Sequence, residues 1–343
     1  MKKRGLSEVV TTLILVLLVL VAIAIVWVVI SNLIRDKGDD IGASTFEVSM
    51  AVKTVEPSST SGNVLVRVER NVGEGNLQGI NIIMSDGINS ETVRVDPIDE
   101  GEETTYDISK GGLGAITKVS IRPIGGSEGN EKVGEVVGER ELSYEQSVKS
   151  LGGLIAWWEF ENDAKDSSGS VPLHDGTNNG ATFVDDGKVG KAADFDGSNY
   201  ISAGDITEYG YTICSWVYLN TGSITLYSFR GTYGAPLLFN NGGKYRVYMN
   251  DNSYRSSNSN VVYNQWVHLC IIPRQDSVDS HIYTNGNLDD GSNSNAATGL
   301  PITDFIIGGA TTGVRLNGQI DELMIFNKAL TADEVKSIYE LTK

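Results

Sequence analysis

The sequence predicts a mainly β protein, two β-sandwich domains carried behind one long apolar helix. Apolar residues recur at every second position in short runs, the pattern of half-buried strands. Turn residues separate the runs, with 39 glycines and only 7 prolines in 343 residues. Residues 9–30 contain no charged side chain. As a helix they would be about 33 Å long, enough to cross a hydrocarbon core of about 30 Å.

The apolar segment comes first in the chain. Lys2, Lys3 and Arg4 precede it, whereas Arg35 and Lys37 are offset by Asp36, Asp39 and Asp40. This bias places the N-terminus in the cytoplasm and the bulk at the cell surface. A cleavable secretory signal would have a shorter apolar region ending in an A-x-A-like site, and none follows here. The run Lys2-Lys3-Arg4-Gly5-Leu6-Ser7-Glu8, leading directly into the apolar helix, resembles the class III signal of archaeal type IV pilins. The resemblance implies a leader of residues 1–5 that a prepilin peptidase removes between Gly5 and Leu6. It also implies that helix 6–35 is retained, either in membrane lipid or packed with copies of itself as a filament core. Glu8 would then lie near the new helix N-terminus, where an acid suits the helix dipole. It would be the third mature residue, whereas bacterial relatives usually carry this acid at the fifth.

Residues 44–146 form the first outer domain. Phe46, Val48, Met50 and Val52 share one strand face, Val64, Val66 and Val68 another, and Ile80, Ile82 and Met84 a third. Val93 with Val95, Val119 with Ile121, and Val133 with Val136 mark later strands. Six or seven short strands at this spacing predict a small immunoglobulin-like β-sandwich. Gly125-Gly126-Ser127-Glu128-Gly129 matches G-x-S-x-G, but it follows Pro123 in a polar glycine-rich run with no strand-to-helix elbow to present the serine. Residues 146–153 read as a short linker.

Residues 154–343 form the second outer domain. It opens with Leu154-Ile155-Ala156-Trp157-Trp158-Glu159-Phe160, followed by Asp166-Ser167-Ser168-Gly169 and Phe195-Asp196-Gly197. Tyr211-Thr212-Ile213-Cys214-Ser215-Trp216-Val217 and Gln265-Trp266-Val267-His268-Leu269 come next. Near the end stands Gly318-Gln319-Ile320-Asp321-Glu322-Leu323-Met324-Ile325-Phe326. In this order and spacing the motifs resemble the laminin-G-like, concanavalin A-like lectin/glucanase superfamily. The resemblance implies a jelly-roll sandwich, glycans or surface proteins as partners, and in several members Ca²⁺. Thr331 with Glu334 forms a capping box, and Leu330 with Val335 a hydrophobic staple, so a short C-terminal helix should follow.

The remaining expectations concern sites. With 44 acidic against 27 basic residues and a net charge of −17, the surface repels phosphate backbones and argues against nucleic-acid binding. Ca²⁺ takes six to eight oxygens, and Glu161, Asp163, Asp166 and Asp321 are the candidate ligands; the alternative is that Asp166 only stabilises its turn. Tyr233, Tyr245, Tyr248, Asn250 and Tyr254 are candidate sugar-binding residues, since aromatic faces with nearby amides suit sugar rings and equally suit a protein interface. Cys214 and Cys270 either form one disulfide or remain two buried thiols. Glu159, Glu161 and Asp163 alternate as if on one strand face, which would allow a glycosidase pair. The E-x-D-x-x-E run of glucanases with this fold is missing, and the chain is read as no enzyme. The combined reading is a pilin-like surface subunit displaying a laminin-G-like adhesion domain. The alternatives are a non-polymerising anchored adhesin or receptor and, more distantly, an extracellular glycanase.

Overall fold

A computed structural model describes residues 48–73, 75–127, 129–206, 212–220, 225–228, 236–248, 254–272, 280–293, 302–309 and 315–343. Gly5, Leu6, Glu8 and the apolar segment 9–30 lie outside the described residues. Among the described residues no helix is long and apolar enough to cross a membrane.

Among the described residues the first domain has eight strands: β1 (Met50–Pro57), β2 (Asn63–Arg70), β3 (Leu77–Ser85), β4 (Ser90–Val95), β5 (Glu103–Ser109), β6 (Lys118–Ser127), β7 (Asn130–Val133) and β8 (Gly138–Glu141). A three-stranded sheet in the order β1-β2-β5 packs on a five-stranded sheet in the order β4-β3-β6-β7, with β8 also pairing β6. The period-two pattern explains the core: Val64, Val66 and Val68 from one sheet meet Ile80, Ile82, Met84, Val119 and Ile121 from the other. Val133 and Val136 depart from the sequence reading, because both are exposed. β7 is a hairpin arm exposed at all four positions, where valine serves the strand backbone and not the core. The G-x-S-x-G run lies at this β6–β7 hairpin, where Ser127 pairs with Asn130.

The segment read as a linker is instead a packed helix, α1 (Tyr144–Lys149). Ser143 and Gln146 form a capping box at its start, and Ser147, Val148, Ser150 and Leu151 are buried.

The second domain is a two-layer sandwich. Its strands are β9 (Leu154–Trp158), β10 (Thr177–Asn179), β11 (Thr182–Val184), β12 (Ala192–Asp196), β13 (Tyr200–Ile206), β14 (Thr212–Leu219), β15 (Thr225–Ser228) and β16 (Pro236–Asn241). They continue with β17 (Lys244–Tyr248), β18 (Tyr254–Asn260), β19 (Trp266–Ile272), β20 (His281–Thr284), β21 (Asn287–Leu288), β22 (Asp290–Asn293), β23 (Ile302–Ile307) and β24 (Asn317–Phe326). One sheet runs β10-β13-β23-β15-β16-β17-β18-β22; the other runs β11-β12-β24-β14-β19-β20-β21, with β9 added against β24. Ile201, Ile307, Tyr227, Leu238 and Val247 are successive cross-strand partners in the first sheet. All five belong to the core between the sheets, together with Trp158, Val217 and Leu269 from the second.

The C-terminal helix α2 (Ala332–Thr342) has the expected Thr331/Glu334 capping box. With α1 and Ala115 of the first domain it covers the outer face of the second sheet. There Val148, Leu151, Trp157, Cys214, Cys270, Met324, Phe326, Leu330, Val335 and Ile338 make a third apolar cluster. Polar contacts bind the same seam. The Lys110 ammonium is buried and donates to Glu334 Oε1 at 2.9 Å and to the carbonyls of Leu113 and Gly114. The Ala115 amide donates to Ser337 Oγ, and the Ile116 amide to Ser150 Oγ, both at 2.8 Å.

Candidate functional site

Four features of the second domain bear on the predicted sites. The first is the cysteine pair. Cys214 on β14 stands directly opposite Cys270 on β19, with Cα atoms 4.1 Å apart, and the two are joined in a disulfide. Two residues along the same face, Trp216 stands opposite His268, with ring centroids 5.2 Å apart. Tyr339 of α2 lies over both rings. Burial pushes the His268 imidazole down to about 3, so the ring is neutral at physiological pH. Ligand atoms of Cys214, His268 and Cys270 lie within 4.8 Å of one another, but both sulfurs are taken by the disulfide.

The second feature is the set of candidate calcium ligands. Asp166 is buried, and its carboxylate accepts the amides of Trp157, Ser168 and His174, each at 2.9 Å. Asp321 accepts the amides of Val189 and Glu322 at 2.8 Å. Glu161 accepts the Lys191 amide, and exposed Asp163 accepts the Lys165 amide. Among the described residues these four carboxylates do not gather into one group of metal-ligating atoms. The oxygens of Asp166 and Asp321 accept backbone amides, the arrangement by which a buried aspartate stabilises a turn.

The glycosidase geometry fares similarly. β9 ends at Trp158, and Phe160 and Asn162 have φ of 57° and 84°. The chain therefore leaves extended geometry, and Glu159, Glu161 and Asp163 do not share a strand face.

In the third feature sequence reasoning named only Asp321, as a candidate calcium ligand, and missed its buried neighbour Glu322. Asp321 and Glu322 are adjacent buried acids at a β-bulge, opposite a register break in β14, with Glu322 at φ 51°. Glu322 Oε2 accepts the Tyr144 hydroxyl of α1 and the Trp157 indole N–H, both at 2.7 Å. No cation pairs with either acid among their described contacts. Burial first, and then the neighbouring acid, pushes Glu322 up to about 8. Burial pushes Asp321 up to about 7 despite its backbone hydrogen bonds, with Glu161 adding to the rise. The signal in the sequence was an Asp-Glu doublet inside an otherwise apolar strand.

The fourth feature is the outward face of β17 and β18. Tyr233 and Asn250 lie outside the described residues. Tyr245, a candidate sugar-stacking residue, is instead fully buried. Its hydroxyl accepts the Val262 amide at 3.4 Å, and burial pushes it up to about 12. The alternation explains the correction: Tyr245 shares the inward face with Val247, so its ring packs in the core. Tyr248 is the backbone partner of Tyr254. Tyr254 is half-buried beneath the Arg246 guanidinium, which lies 4.4 Å from the ring centroid. Arg246 Nε also donates to Ser256 Oγ at 3.0 Å.

Residues 195–336 match a laminin-G-type family model of the concanavalin A-like lectin/glucanases superfamily, so this stretch is a concanavalin A-like lectin-type domain. No curated protein matches the chain. Among solved structures, domain 4 of AbnA, a GH43 extracellular arabinanase from Geobacillus stearothermophilus in complex with arabinotriose, is 23% identical. The match covers 55% of this chain and 98% of that one, with a TM-score of 0.40. The botulinum neurotoxin type G receptor binding domain is 18% identical over 55% of this chain and 51% of that one, with a TM-score of 0.41. Trypanosoma rangeli sialidase is 14% identical over 85% and 53%, with a TM-score of 0.42. The chain spans about half the length of the last two.

Proposed function

We propose that this chain is a pilin-like adhesion subunit of the cell surface. The apolar segment 9–30 holds it in lipid or in a filament core, and the lectin-type domain binds carbohydrate through the outward face of β17 and β18. The observation that carries the binding role is Arg246 poised over half-buried Tyr254, on the sheet that faces away from the first domain. An aromatic ring with directed polar groups beside it is the chemistry that sugar recognition uses. The placement at the surface rests on the basic leader and the uncharged segment of the sequence.

Two measurements test the reading. On a glycan array, the full-length chain in detergent should bind a defined class of saccharide. Tyr254→Ala, which releases the Arg246 guanidinium from its platform, should reduce that signal about tenfold, the scale of losing one well-placed hydrogen-bonding interaction. An array with no signal sinks the binding role. Mass spectrometry of the native N-terminus should find a mature chain starting at Leu6. A chain that keeps residues 2–5 points to the non-polymerising anchored adhesin; the large outer portion favours either that form or a minor, tip or decorated pilin-like subunit.

A further inference from the structure

We infer that the carbohydrate taken by the β17–β18 face is acidic, a sugar bearing a carboxylate or a sulfate. This rests on the glycan-binding reading above and adds the charge class of the ligand. With Tyr245 and Val247 turned into the core, Lys244 and Arg246 share the opposite face of β17, about 6–7 Å apart at their Cα atoms. The Arg246 guanidinium is held in place twice, by its Nε–H bond to Ser256 Oγ at 3.0 Å and by the Tyr254 ring 4.4 Å away. With Nε engaged, its two Nη groups remain as a fork that matches the two oxygens of a carboxylate or sulfate. The Lys244 ammonium donates to the Asn258 carbonyl.

Neither cation has a carboxylate partner among the described residues. That is notable in a protein of net charge −17, where acids outnumber bases. Arg255, the neighbour on the other side of the same strand pair, lies 3.7 Å from Asp290. Arg67, Arg94, Lys118 and Lys149 likewise pair with glutamates. Two like charges side by side repel, and an anion bridging them removes that repulsion. A neutral sugar would cover the guanidinium and leave its charge uncompensated. Tyr254 and Ser256 are positioning residues here, since each acts by fixing the plane of Arg246.

The test uses the full-length chain in detergent with three probes: an oligogalacturonate, a heparin-derived oligosaccharide and neutral cellohexaose. One or both acidic probes should bind at least about tenfold more tightly than cellohexaose, the scale of a charge-assisted fork. Their affinity should fall as salt is raised. The Lys244→Gln/Arg246→Gln double variant should lose that preference, while Arg246→Lys, which keeps the charge but not the fork, should lose part of it. Lys165→Gln, on an exposed loop of the same domain, should change nothing, and an unchanged melting temperature shows that each variant is folded. Carboxylate and sulfate sources separate by which acidic probe binds. Equal affinity for acidic and neutral probes overturns the inference and leaves glycan binding standing. Binding to none of the probes, with a blank glycan array, overturns both.

Discussion

The two outer faces of the lectin-type sandwich handle charge in opposite ways. On the face covered by α1, α2 and the first domain, the buried Glu334 carboxylate receives both Lys110 and Lys328. Burial alone would raise its pKa, but the two lysines outweigh that and hold it below the usual carboxylate range. On the opposite face Arg246 and Lys244 have no carboxylate partner among the described residues. A sealed seam in a low-dielectric setting must neutralise its charges internally, because an uncompensated buried charge costs several kcal/mol. A face that meets an external partner can leave its charges for that partner. The seam thus reads as structural and the β17–β18 face as functional, although both are built from ordinary strand residues.

Variants break this contrast in order of size. Cys214→Ser with Cys270→Ser opens a 56-residue separation on the covered face. Chain-entropy reasoning gives a loss of about 4 kcal/mol, read as a lower denaturant midpoint. Lys110→Met leaves Glu334 buried with one lysine instead of two and removes the donor to two loop carbonyls. The expected loss is about 3 kcal/mol, and the single unfolding transition of the native chain should broaden or split in calorimetry. If Lys110→Met is neutral, the seam is not what joins the domains.

A smaller effect separates paired from unpaired buried acids within the covered region. Asp321 and Glu322 have folded pKa values of about 7 and about 8, above the ordinary carboxylate values near 4 in the unfolded chain. The folded state therefore holds protons that the unfolded state has released. Their contribution is fully present below about pH 4 and is lost as pH rises through about 7 to 8. His268 works in the other direction: its folded value near 3 removes stability only as pH falls below about 6.5. Of these three groups only the acid pair still changes between about pH 6.5 and 8.5, so its contribution should lower the melting temperature across that window. Glu322→Gln should flatten the decline, and a slope that Glu322→Gln leaves unchanged would place the cause elsewhere. The smallest expected effect sharpens the contrast most: Arg246→Gln should shift stability by no more than about 0.5 kcal/mol while it weakens acidic-sugar binding.

Much of this architecture was legible in the residues. Alternating Val64, Val66 and Val68 against Ile80, Ile82 and Met84 announced a sandwich core, because a strand with one buried face has only one periodicity available. The Thr331/Glu334 capping box and its Leu330/Val335 staple placed α2, since capping chemistry is local. The doublet Asp321-Glu322 was visible, but its burial was not. Tyr245 and Tyr254 looked equivalent as candidate binders, yet one fills the core and the other lies under Arg246. Residues 146–153 read as a linker because short polar stretches between domains have no distinctive period.

What the amino-acid order determined by itself was whatever depends on near neighbours: strand alternation, turns, caps and the length of the apolar segment. Only the tertiary structure decided which strand faces pointed inward, that Lys110 would meet a glutamate more than two hundred residues away, and that the carboxylates of Asp166 and Asp321 would serve backbone amides. Those outcomes depend on register and on the docking of one domain against another. Both are set by summed burial and hydrogen bonding across distant segments, which no local pattern encodes.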